Sequence, residues 1–354
     1  MTIPTEPIGS IPRPAQLLHA IEGHAAGRVS NEQLERAYDE AVQDTLQRFE
    51  ATGSPVITDG EQRKSSFATY PLEGLTALAP DGVVIPFKDG HIRQLPRLMQ
   101  GPFRYGKYAG EYLRRAKPLT KKPLKQAVIS ASALSLLYPE HGIKDYPREE
   151  FIEDLIAEAV ADISSALNAG ADSVQIDFTE GRLSLKLDPS GGLLKSFVDL
   201  NNRVLERFPA GERSRFGVHV CPGGDHDSTH SADVDYAGLL PALFGMKAGR
   251  FYLQLASEAD RPRVLRLIAK LLNGQQRVFV GVIDPISPQI ETAEQVRDRV
   301  LEAAAFLPLD RLGTTDDCGF SPFADDVSTA REVAFAKIQA RVEGTAMAAA
   351  KLGA

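Results

Sequence analysis

The chain has 354 residues, 43% hydrophobic and 25% charged, with a formal net charge of −7. Those proportions suit a globular protein with one large core or two ordinary ones, and the acidic balance leaves no basic footprint for nucleic acid. No apolar run approaches the roughly 18–20 residues that span a bilayer, and Met1 to Pro14 lacks a basic segment followed by an apolar core, so the sequence predicts a cytoplasmic protein with no membrane partner.

In chain order, residues 6–12 read as a first strand, 31–53 as a helix and 55–60 as a second strand. Residues 67–124 then break the rhythm with short strands and loops. From Lys125 onward strand and helix alternate. Residues 125–132 form a short apolar run, and 147–170 are amphipathic at helical spacing and stop at Gly170. The strand 173–177 precedes a helix at 191–208, and the strand 215–221 precedes one at 235–246. Strand 250–256, helix 262–274, strand 277–284, helix 292–307, strand 311–319 and a last helix over 329–352 complete the series.

Eight strands result, near Ile8, Ile57, Val128, Val174, Val218, Tyr252, Phe279 and Gly313. This alternation predicts an α/β fold of the (β/α)8 barrel type, a TIM barrel. A doubly wound open sheet is the runner-up, but its Gly-rich phosphate loop is missing and the glycines at Gly191 lack the spacing. Residues 1–354 are read as one catalytic domain, with 67–124 an excursion between strands two and three that serves as a lid or an interface.

In such a barrel the site lies where strands end. The strand ends here carry Ser10, Asp59-Gly60-Glu61, Gln175-Ile176-Asp177, His219-Val220-Cys221, Gln254, Asp284 and Asp316-Asp317-Cys318-Gly319. His219 and Cys221 are two apart on a strand and so face one side. Cys318 arrives at the same rim from strand eight, and it and Cys221 are the only cysteines of the chain. A disulfide scaffold does not suit a large chain of this kind; two buried inert thiols are the bland alternative. Three soft ligands converging on one rim predict a zinc site with an open position. Two thiolate ligands blunt the metal's Lewis acidity, so the site favours holding a substrate thiol, ordinarily protonated at pKa ~8.5, as a reactive thiolate. That predicts alkyl transfer onto sulfur. The loop after Cys221 adds Asp225, His226, Asp227 and His230, either as a solvated cap or as a source of general acid.

These pieces, from Ile8-Gly9-Ser10 through Asp59-Gly60-Glu61, Gln175-Ile176-Asp177, His219-Val220-Cys221 and Asp284 to Asp317-Cys318-Gly319, resemble the catalytic barrel of cobalamin-independent methionine synthase, in the family's order and over nearly the whole chain. The resemblance implies that His219, Cys221 and Cys318 hold Zn2+, and that Ser10, Glu61 and Asp177 hold the amino-acid part of homocysteine. It further implies a methyl transfer to the homocysteine thiolate, from methyltetrahydrofolate or a methylated corrinoid. Its length matches the family's catalytic half only. Gln254 stands where the family places a fourth, glutamate ligand, with Glu258 further along as a substitute, and Ile286 stands where it places a histidine after Asp284. His226 and His230 are the residues available to replace that histidine, and with Asp284 they form the catalytic candidates. The competing readings are zinc-thiolate chemistry on another thiol or electrophile, and a non-catalytic binding barrel. The partners expected are a small-molecule thiol and a methyl donor, with a homo-oligomer left open.

Overall fold

The computed structural model describes residues 2–354. Six parallel strands, Lys125–Ile129, Ser173–Asp177, Phe216–Val220, Arg250–Leu253, Arg277–Ile283 and Leu312–Asp316, pair each with the next in chain order. Helices connect them on the outside: Arg148–Asn168, Gly192–Leu205, Tyr236–Leu243, Arg261–Leu271 and Ala293–Ala304. Nearly every residue of the six strands is buried, as expected of a parallel sheet covered on both faces.

The remaining two staves flank this sheet as single parallel bridges, Thr5 to Thr314 and Ile57 to Leu124. They meet each other through Ile11 N–H donating to Gly60 O at 3.0 Å and Thr58 Oγ1 donating to Gly9 O at 2.8 Å. The eight strand positions therefore follow the predicted order, and the architecture is the (β/α)8 type with its first two strands abbreviated. The abbreviation has a local cause. Pro4, Pro7 and Pro12 supply no N–H to a ladder, and the second strand ends at once in a left-handed turn, with φ of 70° at Gly60 and 55° at Glu61.

The longer helices follow their apolar spacing. Arg148–Asn168 starts after Pro147, buries Phe151, Leu155, Ile156, Ala159, Ile163 and Ala166, and stops before Gly170 at φ 92°. Burial of its large side chains contributes roughly 1.5–3 kcal/mol each. A capping box of Thr292 and Gln295 starts the Ala293–Ala304 helix. One hydrophobic cluster runs from Ile3 to Ala349, so the barrel and its excursion share a core. Among the described residues no helix is long and apolar enough to cross a membrane.

The excursion differs in detail from the short strands and loops predicted. It opens with an antiparallel arm, in which Leu78–Ala79 pairs with Arg97–Leu98 and Val84–Pro86 with Ile92–Gln94. A helix, Ala109–Ala116, follows and docks on the Arg148–Asn168 helix: Ala109 N–H donates to Asp162 Oδ1 at 2.6 Å and Gly110 N–H to Ser165 Oγ at 3.0 Å. Gly110 permits this approach, because a Cβ there would run into the Ser165 carbonyl. Further helices lie outside the predicted ones: Ala15–Ala25 and Glu180–Leu187, and the short Ala131–Ser135 and Ala210–Arg213. The Ala109–Ala116 and Glu180–Leu187 helices span eight residues each, about two turns, too little for a 3.6-residue period to show.

Candidate active site

Strand register builds the centre. Asp177 pairs with His219 across the fourth and fifth strands, so both side chains leave the sheet on the same face. His219 Nδ1 donates to Asp177 Oδ1 at 3.0 Å, and Gln175 Nε2 donates to the same oxygen at 2.8 Å. With Nδ1 protonated by this partnership, Nε2 carries the lone pair, as in a metal-ligating histidine whose other nitrogen is held by a carboxylate. Nε2 is buried and has no hydrogen-bond partner.

Two residues on, Cys221 is fully buried, and Cys318 reaches it from the loop after the eighth strand, with the sulfurs 3.2 Å apart. That is far beyond the ~2.05 Å of a disulfide, and both thiols are free. The donor atoms of His219, Cys221 and Cys318 all lie within 4.8 Å of one another. Two buried sulfurs in contact, beside an orphaned imidazole nitrogen, fit a soft cation. The electrostatics agree. The neighbouring Cys221 and burial push the Cys318 thiol well above its ordinary value, so a cation must compete with protons to hold it as thiolate. Burial lowers the His219 imidazolium, but the bond to Asp177 and the nearby Cys318 sulfur outweigh burial and raise it to about 9.

Around this trio lies a cavity of about 470 Å3. Ser10, Glu61, Gln175, Asp177 and Glu180 line its polar part, and Phe67, Ile85, Phe87, Ile92, Leu95 and Phe323 its apolar part. Ser10 is buried and its Oγ accepts from Ser321 N–H at 3.3 Å. Gly319 lies against that hydroxyl so closely that a Cβ would displace it. Glu61 leaves its left-handed turn to accept from Lys64 Nζ at 2.8 Å, and burial raises its carboxyl above the usual range. The three candidate substrate residues thus share one cavity with the three candidate ligands.

The remaining candidates separate. His230 lines the cavity, is buried, shares a 2.6 Å hydrogen bond between its Nδ1 and Ser231 Oγ, and is held near pKa 4 by burial and by Lys186 and Arg182. His226 does not line it. His226 and Asp227 are the central residues of a tight hairpin turn, with φ of 46° and 57°, and His226 Nε2 meets Arg93 at 3.2 Å. Asp284 also lies off the cavity; its Oδ1 accepts from Ile286 N–H at 3.1 Å and its carbonyl from Lys337 Nζ at 2.9 Å. Gln254 and Glu258 are both drawn to Arg182: Gln254 Oε1 accepts at 2.5 Å, and Glu258 lies 3.8 Å away. Neither lines the cavity, and Glu258 does not belong to the metal-ligating cluster.

Three features escaped the sequence reading. Asp317 accepts the N–H groups of Leu255, Ala256 and Ser257, each at 2.8 Å, fixing the loop after the sixth strand beside Cys318. Glu180 is buried, and its Oε1 accepts from Ser130 Oγ at 2.5 Å and from Ser132 Oγ. A carboxylate three residues past a strand-end aspartate was the available signal for it. The hairpin arm also reaches the rim. Arg93 bonds Asp225 (2.5 and 3.0 Å) and Asp325 (2.9 Å), and Lys88 N–H donates to Thr229 O at 3.0 Å. Asp225, His226 and Asp326 form a second group with metal-like spacing, but Arg93 already bonds Asp225 and His226 there.

Comparison with known proteins gives one consistent result. The family described as cobalamin-independent synthase, catalytic domain, matches residues 3–334. A methionine synthase of Saccharolobus solfataricus is 24% identical over 345 residues, covering 97% of this chain and 94% of that protein. One from Sulfurisphaera tokodaii is 25% identical, over 97% and 91%. The structure of a B12-independent methionine synthase from Shewanella sp. W3-18-1, in complex with selenomethionine, superposes with a TM-score of 0.77 at 20% identity, over 99% of both chains.

Proposed function

The chain belongs to the catalytic-domain family of the cobalamin-independent synthases, and from that premise we propose that it is a zinc-dependent methyltransferase acting on the thiol of homocysteine or a similar amino acid. The observation that carries the zinc reading is the pair of buried sulfurs 3.2 Å apart beside the partnerless Nε2 of His219. Zinc held by one imidazole and two thiolates supplies a site where a substrate thiol stays deprotonated near neutral pH.

The rest of the work falls to the chain. Asp177 holds the His219 ring in one tautomer. Asp177 spends Oδ1 on two donors and Glu61 spends Oε1 on Lys64, leaving each with a second oxygen for the substrate ammonium. The Ser10 hydroxyl is the partner for its carboxylate. So anchored, the substrate sulfur attacks the methyl carbon in line, opposite the bond that breaks. The hairpin arm acts as a lid that excludes water, latched by Arg93. His230, neutral at pH 7, serves as a hydrogen-bonding wall, with His226 and Asp284 supporting the rim.

The test is direct. Protein loaded with one zinc per chain is given homocysteine and a panel of methyl donors that includes methyltetrahydrofolate and methylcobalamin. Methionine is expected with at least one donor, and Cys318→Ser is expected to lose both zinc and product. No product from any donor at full zinc occupancy would overturn the reading.

A further inference from the structure

The cavity must hold the thiol and the methyl donor together, since in-line transfer brings the reacting atoms within about 3–3.5 Å. At about 470 Å3 it lies toward the small end of sites that enclose a single drug-sized ligand. The portions of the two substrates that it encloses together are therefore small. The wall above the polar floor is aromatic and aliphatic, built by Phe67, Phe87 and Phe323 with Ile85 and Ile92. Glu61, Asp177 and Glu180 line the cavity. Glu61 is paired with Lys64 and Asp177 with His219, and the guanidinium of Arg93, the lining cation, is bonded to both Asp225 and Asp325, so Glu180 is the lining carboxylate of these three with no cationic partner. Glu180 is 5% exposed, and its Oε2 has no hydrogen-bond partner. The same wall already accommodates a cation, with Arg93 lying 4.0 Å over the Phe323 ring.

Resting on the thiol-methylation reading of this site, we propose that the methyl donor is a compact onium cation, a methylsulfonium or a methylated quaternary ammonium, seated between the aromatic wall and Glu180. Aromatic rings and a buried carboxylate are the groups that recognise such cations. The chemistry balances without an acid. A lone pair of the substrate thiolate forms the new S–CH3 bond. The C–S+ or C–N+ bond breaks with its electrons passing to the departing atom, which leaves as a neutral thioether or amine and takes no proton. That matches the surroundings, because burial holds His230 near pKa 4 and leaves no imidazolium there at neutral pH. Burial also raises Glu180 to about 7, against the pull of Ser130 and Ser132 and with Asp177 alongside; Asp177 is itself bonded to His219. A cation beside Glu180 draws it to the carboxylate.

The experiment uses zinc-loaded full chain, homocysteine, and donors carrying a deuterated methyl group: trimethylsulfonium, glycine betaine and, as contrast, methyltetrahydrofolate. Labelled methionine is expected from one of the onium donors, with kcat/KM at least roughly tenfold above the folate, and the active arm tells sulfonium from ammonium. Glu180→Gln is expected to raise the KM for that donor roughly tenfold with zinc content unchanged. Choline is expected to inhibit roughly tenfold more tightly than its neutral isostere 3,3-dimethylbutan-1-ol, a difference that packing alone does not produce. Activity should rise through about pH 7 as Glu180 ionises. Turnover with methyltetrahydrofolate while both onium donors stay inert overturns the proposal and leaves the thiol-methylation reading standing. Equal inhibition by choline and its isostere, or activity that falls through pH 7, also overturns it. No labelled product from any of these donors overturns the proposal, and no product from methylcobalamin as well removes the thiol-methylation reading with it.

Discussion

Replacing Asp177 by asparagine tests whether the Asp177–His219 bond tunes the metal site. The substitution keeps an oxygen for His219 Nδ1 at the same 3.0 Å position but removes the charge. In metal-free protein His219 is raised from 6.5 to about 9, which corresponds to about 3 kcal/mol. Cys318 shares in that rise, so the part belonging to Asp177 is on the order of 1–3 kcal/mol. The sign follows from linkage. A folded pKa above the unfolded one stabilises fully below pH 6.5 and is lost as pH climbs through 9. Metal-free wild type should therefore exceed Asp177→Asn in stability at pH 6, and the gap should close by pH 10. Zinc affinity should fall about 10–100-fold, or ~1.4–2.7 kcal/mol, because the ligating nitrogen loses its anionic partner. Competition with a chromophoric chelator reads the affinity, and urea unfolding at several pH values reads the stability gap. Zinc affinity within threefold of wild type, together with a pH-independent stability difference, would refute the assigned role of the carboxylate.

Asp317→Ala leaves the buried N–H groups of Leu255 and Ala256, and the part-buried one of Ser257, without their acceptor; a loss of about 2–3 kcal/mol should appear in the denaturant midpoint, along with slower zinc uptake. Gly223→Ala puts a Cβ inside the His230 ring and places it at φ 73°; a cost of about 1–3 kcal/mol and a shifted His230 proton resonance are expected, and unchanged thermal unfolding would count against the packing described. Arg93→Met removes the latch to Asp225 and Asp325 from an arm that sits outside the barrel. Limited proteolysis within residues 78–98 should accelerate and KM should rise severalfold, while global stability moves little.

How much of this was legible in the sequence follows from the range of the interactions involved. The order of strands and helices is a matter of local periodicity, and so is the parity that puts His219 and Cys221 on one face. The rim position of Cys318 needs only the barrel rule that strand ends gather. The sequence by itself therefore determined the barrel and the three sulfur and nitrogen donors that the structure brings within 4.8 Å. What it left open depends on partners distant in the chain. Arg182, 72 residues from Gln254, takes up that side chain's oxygen. Tight turn geometry at residues 226–227 carries His226 outward, while His230, four residues later, packs inward against Gly223. The hairpin arm lacks enough residues per strand to announce itself, yet Arg93 crosses 132 residues of sequence to bond Asp225. Only the tertiary structure decides such matters, because they are settled by which buried charge finds which partner, and no local pattern encodes that choice.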